Sequence, residues 1–431
     1  MKNINLLLVL IISILFSCKK ESVYQLDKPL VEILNKELNP LTSDPLLWNN
    51  RDLLFLDQFG ENKIVGLGEA THGTSEFFKA KHRIFKYLVE NHDFKIFAFE
   101  ADFGESILIN EAIQNGNCDQ IRELMNTKMH FWTWQTEEVE ELLDWMCSYN
   151  KSKEVDEKLQ YFGLDCSFNT FHPDMVLEYL KNMEVSFIEE AKDILIEAKD
   201  SSEKSFDSYT QVRFNTFLEK VSNLVDSLDK HENFLVEKSS EKEFQLNRRL
   251  IEVIIQASEV IRIFHIGNFE NDPRDPRMAE NATWLIDYFE GDKIAIWAHN
   301  GHLDNNSKSA SMGYHLAKEL GTNYGSVGFL FSKGSFTAIQ GGLTKSKSIE
   351  TEPPQNTLNY FMSKSDKSTF SINVEELLEN NEWNEKFTEG LEYLDIGAVF
   401  NSPPENYYNT YEPVYFDELI YFDRTTAAKN F

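Results

Sequence analysis

The sequence predicts an α/β fold, with a largely parallel central sheet flanked by helices and a long helical insertion forming a cap. Three observations predict it. Five short runs rich in Ile, Val, Phe or Ala, at residues 63–68, 95–99, 160–164, 293–298 and 326–331, are bounded by Gly, Asp or Asn, as buried strands are. Between them lie stretches with apolar residues at helical spacing, and strands separated by helices give a layered fold with a parallel sheet. One region, about 172–265, breaks the alternation and reads as helix throughout.

The chain of 431 residues, 42% of them apolar, is long enough for a sizeable core and is not that of a disordered protein. Its formal charge of -29 argues against a nucleic-acid partner, which needs a basic face to displace counterions. The N-terminus differs from the rest. "MKNINLLLVLIISILFSC" has one basic residue, then an apolar run too short to span a bilayer, and reads as a signal peptide over residues 1–17. Its ending, Leu15-Phe16-Ser17-Cys18, resembles a bacterial lipobox, in which Cys18 is lipidated. The expectation is a lipid-anchored lipoprotein of the bacterial cell envelope, with residues 18–43 as a tether and 44–431 as the folded domain. Three cysteines remain, Cys118, Cys147 and Cys166, without C-x-x-C spacing, so at most one pair can form and buried free thiols are equally expected.

In chain order, "IVGL" at the first strand leads into "GEATHG", glycines followed by a Glu and a His three apart. The next helical stripe carries Phe77, Ala80, Ile84, Tyr87 and Leu88 on one face. "KIFAFEADFGES" is apolar through Phe99 and then turns acidic, with Glu100, Asp102 and Glu105. A helix follows around residues 137–149, with Leu142, Trp145 and Met146 in register, and the third strand ends at Asp165. The insertion at about 172–265 holds long amphipathic patterns, and an insertion between two sheet strands projects from one end of the sheet as a cap. The fourth strand, "KIAIWA", runs into "HNGH". Past residue 350 the composition is mixed, with Pro-rich turns and no clear strand pattern.

In an open α/β sheet, ligands bind outside the carboxyl ends of the strands. Four strand ends here each deliver an acid or an imidazole: Glu69 and His72, Glu100, Asp165, then His299 and His302. Taken singly, each has a plainer reading. Glu69 and His72 fit a helix-capping turn, with Thr71, Thr74 or Ser75 as the cap. His299-x-x-His302 fits a metal pair, so a zinc ion is one reading and not the favoured one. Taken together, the four ends point to catalysis. There is no Gly-x-Ser-x-Gly elbow, no His-Glu-x-x-His helix and no phosphate loop. What remains is imidazole with carboxylate, the equipment for general-base activation of water.

The blocks "GEATHGTSEFFKAKHRIFKYLVE", "FAFEA", "RDPRMAENATWL" and "WAHNGH", in that order, resemble the erythromycin esterase family. The resemblance implies an α/β core with a helical insertion and hydrolysis of a carboxylic ester such as a macrolide lactone, an activity tied to antibiotic resistance. It also implies that no metal or other cofactor is used. Carried onto this chain, the essential base is His72, with Glu69, Glu100, His299 and His302 completing the catalytic set. Arg83 and Arg277, with Asp165, take substrate-binding positions. The expected partners are a small ester or lactone and the membrane, through lipid on Cys18. The competing reading is a non-enzymatic lipoprotein of related fold holding a metal or haem through His72, His299 and His302. Against it, Glu69 and Glu100 beside those imidazoles suit proton transfer better than ligation.

Overall fold

The strands of the computed structural model, which describes residues 27–203, 208–268, 272–412 and 415–431, alternate with helices along most of the chain. They are β1 (Asn39–Pro40), β2 (Ile64–Leu67), β3 (Phe94–Asp102), β4 (Gln160–Asp165), β5 (Lys293–Trp297), β6 (Tyr324–Gln340), β7 (Leu343–Ile349), β8 (Thr369–Asn373), β9 (Leu391–Leu394), β10 (Tyr408–Tyr411) and β11 (Glu418–Thr425). Nine form one sheet in the order β1-β8-β11-β6-β2-β5-β3-β4, with β7 paired antiparallel to the far end of β6. From β11 through β4 every neighbouring pair is parallel. All five strands expected from the sequence are present. The strands after β6 are not marked in the sequence: β7 is mostly exposed, β9 and β10 form a separate two-stranded ribbon, and β8 and β11 are buried in the main sheet.

Period-2 alternation divides the central strands between two cores. Ile64, Ile96, Phe162, Ile294 and Ile296 face one side, and Val65, Leu67, Phe97, Tyr161, Ala295 and Trp297 face the other. Helices α1 (Ser75–His92), α2 (Phe103–Asn115) and α3 (Glu137–Asn150) follow β2, β3 and the next connection. On α1, Phe77, Phe78, Ile84, Phe85 and Leu88 are fully buried, each contributing about 1.5–3 kcal/mol of transfer free energy. This stripe, not propensity, holds the helix.

Among the described residues the insertion holds the helices α4 (His172–Met183), α5 (Ile188–Glu203), α6 (Gln211–Lys230), α7 (Glu232–Lys238) and α8 (Glu241–Ile266). Thr210 and Ser240 cap α6 and α8 by accepting from the backbone N–H three residues on, and Gly267 at φ +68 ends α8. Helix α9 (Arg274–Tyr288) then returns the chain to β5.

Residues 27–43, expected as tether, belong instead to the fold. They form a helix over 27–37 that buries Leu30, Val31 and Leu34, followed by β1 against β8. The i, i+1, i+4 spacing of those apolar residues gives the helix an inward stripe. The proposed leader, residues 1–17, and Cys18 lie outside the described residues. Among those described, no helix is long and apolar enough to cross a membrane. Cys118 and Cys147 are joined by a disulfide and Cys166 is a buried free thiol, so the one pair the sequence permits does form.

Candidate active site

The parallel strands end level with one another: Leu67 and Phe99 both pair with Trp297. Their polar residues therefore emerge along one edge. The turn after β2 is tight because two glycines admit neighbouring chain. A Cβ on Gly68 would lie 2.1 Å from Asn300 Oδ1, and one on Gly73 would lie 2.2 Å from the Thr337 carbonyl oxygen. The residues that a capping reading would use are otherwise engaged. Thr74 makes no side-chain cap to α1, and Ser75 donates to Glu138 at 2.5 Å.

Glu69 is fully buried and accepts three hydrogen bonds: from Lys81 Nζ at 2.5 Å, from Trp297 Nε1 at 2.7 Å and from His72 Nδ1 at 2.8 Å. Burial would raise its carboxyl, but the Lys81 charge and the His72 contact hold it below the ordinary value. Burial takes Lys81 down to about 8 despite the Glu69 charge, and the ammonium also sits 4.4 Å from the Trp297 ring centroid. Nδ1 of His72 is thus the donor to Glu69, leaving Nε2 as the uncommitted nitrogen. Thr133 Oγ1 donates to the His72 carbonyl at 2.5 Å and fixes the backbone beneath the ring.

A second network stands beside the first. Arg274, the first residue of α9, donates from Nη2 to Glu100 Oε1 at 2.8 Å and to Asp165 Oδ2 at 2.6 Å. The backbone N–H of His299 donates to the other Glu100 oxygen at 2.9 Å. His302 donates from Nδ1 to Asp275 Oδ1 at 2.8 Å, and its Nε2 lies 3.2 Å from Glu100 Oε1. Burial would lower the His302 imidazole, but the Asp275 and Glu100 charges push it well above its ordinary value. Those two charges favour the protonated ring. Arg274 Nη1 lies 3.1 Å from its Nε2, a hydrogen bond to the neutral ring that protonation would turn into a contact of two cations among three carboxylates. Burial opposes ionisation of Glu100, yet His302 and Arg274 hold its carboxyl well below the usual range. His299 lies between the networks, its ring centroid 5.0 Å from that of His72 and its plane tilted by 49°. Its Nδ1 accepts from Gly301 N–H at 3.2 Å, and its Nε2 lies 3.1 Å from Asp395 without a hydrogen-bonding alignment.

These groups adjoin a cavity of about 610 Å³. His72, Glu100, Arg274 and His302 form its polar end, while Phe131, Trp132, Phe168, Val260, Ile261 and Phe264 form an apolar wall. The last three come from α8, so the insertion does cover the strand ends. The arrangement suits a ligand with a reactive polar group on an apolar body.

Of the residues singled out from sequence, His72, Glu100 and His302 line the cavity, and Glu69, Asp165 and His299 stand directly behind them. Two arginines are not brought there. Arg83 donates to the Trp48 carbonyl at 2.7 Å and to Asn50 at 2.6 Å, on the far side of α1. Arg277 pairs with Glu259 and Glu280 on the outside of α9. Arg274 occupies the place expected of Arg277: as the first residue of α9 it meets Glu100 and Asp165, while Arg277 is held by Glu259 of α8 and Glu280 of its own helix. The two arginines of "RDPR" are the sequence signal, but spacing does not say which faces inward. Asp275, Lys81, Trp297 and Asp395 were also unmarked. The imidazoles do not share one point as metal ligands would: His299 and His302 direct nitrogens to different carboxylates, with ring centroids 6.5 Å apart.

Comparison with known proteins places this geometry in context. A family model described as erythromycin esterase matches residues 89–425. The putative hydrolase YbfO of Bacillus subtilis (strain 168) is 27% identical over 354 residues, 74% of this chain and 76% of its own. Erythromycin esterase type II of Escherichia coli is 25% identical over 321 residues, 65% of this chain and 71% of its own. Among solved structures, a Bacillus cereus protein superposes with a TM-score of 0.81 at 22% identity, covering 94% of this chain and 99% of that one. An erythromycin esterase mutant in its open conformation superposes with a TM-score of 0.67 at 16% identity, over 92% and 98%.

Proposed function

The chain belongs to the erythromycin esterase family, and on that premise we propose that it hydrolyses a carboxylic ester or lactone with water activated by His72. The observation that carries this reading is the division of labour between the two imidazoles. His72 is oriented through Nδ1 by a buried carboxylate and keeps Nε2 uncommitted at the cavity. His302 has both ring nitrogens engaged, Nδ1 by Asp275 and Nε2 by Arg274 and Glu100, and is not free to act as the base.

Nε2 of His72 takes a proton from water as the oxygen attacks the ester carbonyl. The imidazolium so formed is stabilised by Glu69, whose own ionisation Lys81 secures. Negative charge growing on the carbonyl oxygen develops in the field of Arg274 and His302, at the same end of the cavity. The tetrahedral intermediate collapses as the leaving alkoxide takes a proton from imidazolium, which releases acid and alcohol and restores the base. No metal is needed at the reacting atoms.

The apolar wall favours an ester or lactone with a bulky hydrophobic body, and a macrolide lactone is one member of that class. We place the enzyme in the bacterial envelope, anchored by lipid on Cys18, with no nucleic-acid partner. The Cys118–Cys147 disulfide supports an exported protein, because such bonds persist in oxidising compartments.

The test is turnover of a panel of macrolides, simple lactones and aryl esters by the purified chain, with His72→Ala as control. Loss of the base should cost at least roughly a hundredfold in kcat. Hydrolysis by His72→Ala at the parent rate would sink the assignment, and a stoichiometric Soret band would favour the binding-protein alternative.

A further inference from the structure

Behind the cavity wall lies a cluster of ionisable groups that the proposed reaction does not use. Asp102 and Glu105 are fully buried at the start of α2, and His130 packs against them from the segment leading into Phe131–Trp134. One ligand atom from each of Asp102, Glu105 and His130 lies within 4.8 Å of the other two.

The hydrogen bonding accounts for only half of this group. Asp102 Oδ1 caps α2, accepting from the N–H groups of Gly104 at 3.0 Å and Glu105 at 3.1 Å. Glu105 Oε2 accepts from the His130 N–H at 2.9 Å and faces its Nδ1 at 2.6 Å. Asp102 Oδ2 and Glu105 Oε1 have no partner among the described residues. Neither does either nitrogen of His172, a fully buried ring whose Nε2 comes to 3.9 Å of Asp102 Oδ1. An unpaired buried polar atom forfeits its hydration without a compensating bond, so several in one place require a reason.

We propose that Asp102, Glu105 and His130 bind one divalent transition-metal ion, of which Zn²⁺ is the representative, with the His172 ring beside them. Two carboxylates and an imidazole, with a fourth position for water, are a donor set suited to zinc and its first-row neighbours, and the two negative charges balance the ion. His130 has the supporting contact that metal-binding histidines show: with Nδ1 turned to the carboxylates, Nε2 donates to Thr170 Oγ1 at 2.9 Å. Its partial exposure gives the ion an entry path. The stacking of its ring on Phe168, a cavity-wall residue, links the site to the substrate cavity. The ion would tie the start of α2 to the two segments that build that wall. It stands apart from His72 and His302 and takes no part in water activation, so this inference holds or fails independently of the proposed reaction.

The test uses the full chain stripped of metal, dialysed against Zn²⁺ and analysed for bound zinc. Competition with a chromophoric chelator supplies the affinity, and Co²⁺ in place of Zn²⁺ supplies a ligand-field spectrum. One equivalent should bind the parent protein, and His72→Ala and His302→Gln should retain it. Glu105→Gln and His130→Gln should each weaken binding by at least about tenfold. Added Zn²⁺ should raise the melting temperature of the parent but not of Glu105→Gln, and that comparison stands even where a variant is less stable. Failure to bind an equivalent, or binding unaltered in both ligand variants, would overturn the proposal. Loss of the zinc only in His72→Ala or His302→Gln would do so too, by placing the ion elsewhere.

Discussion

Replacing Lys81 with Met is the sharpest probe of how the base is held. Lys81 and Glu69 are both fully buried and joined at 2.5 Å, and among the described residues the other donors to Glu69 are Trp297 Nε1 and His72 Nδ1. Met keeps most of the packing volume and removes the charge. The Glu69 carboxylate then stays buried without its chief compensation, and breaking such a pair costs about 3–5 kcal/mol. Part of the loss should return when the stranded charge is removed too. Lys81→Met combined with Glu69→Gln should be more stable than Lys81→Met alone by about 1–3 kcal/mol. Linkage gives a second reading. The folded protein depresses Lys81 from 10.5 to about 8, so between those values the unfolded chain binds more protons and parent stability rises with pH. Lys81→Met should lack that rise. The assay is urea unfolding of the parent, both single variants and the double variant at neutral pH, repeated for the parent and Lys81→Met across the alkaline window. A loss under about 1 kcal/mol, or a double variant no more stable than Lys81→Met, would refute the claim that Lys81 secures the ionised Glu69.

Asp275→Asn should move the alkaline limb of the kcat/KM profile to lower pH. His302 is raised by Asp275 and Glu100, so its charge and the stability it contributes are present below the unfolded value and are lost as pH rises through the folded one. Removing one anion lowers that folded value; an unchanged limb in the pH–rate profile would contradict the role given to His302. Arg274→Lys keeps the charge but not the fork that spans Glu100 and Asp165, and kcat should fall by about a hundredfold. Arg83→Ala, in the same turnover assay, should leave kcat/KM within about twofold while costing about 1–2 kcal/mol of stability in urea. Cys118→Ser opens a cross-link between residues 29 positions apart, and urea unfolding should register a loss of about 3–4 kcal/mol.

The parallel half of the fold is legible in the sequence because its signals are local. β2, β3, β4 and β5 are short, fully sandwiched apolar runs, and their neighbours carry stripes of helical period. That pattern alone puts Glu69, His72, Glu100, Asp165, His299 and His302 at one edge. The helical insertion is equally plain, since nearly a hundred residues pass without a strand-like run. Resemblance in four ordered blocks names the family, and the family model agrees. Three things depend on contacts between residues far apart in the chain. Arg274 meets Asp165 across 109 positions, and only the orientation of α9 makes it, rather than Arg277, the inward arginine. Trp297 reaches Glu69 across 228 positions, and Lys81 joins the same carboxylate from the second turn of α1. Residues 27–37 look like a polar tether until Leu30, Val31 and Leu34 find the core. Periodicity determines which residues are buried together within an element. Which charges compensate one another is decided by packing between elements, because a buried ion pair takes its partner from whatever lies within a few ångströms, at any distance along the chain.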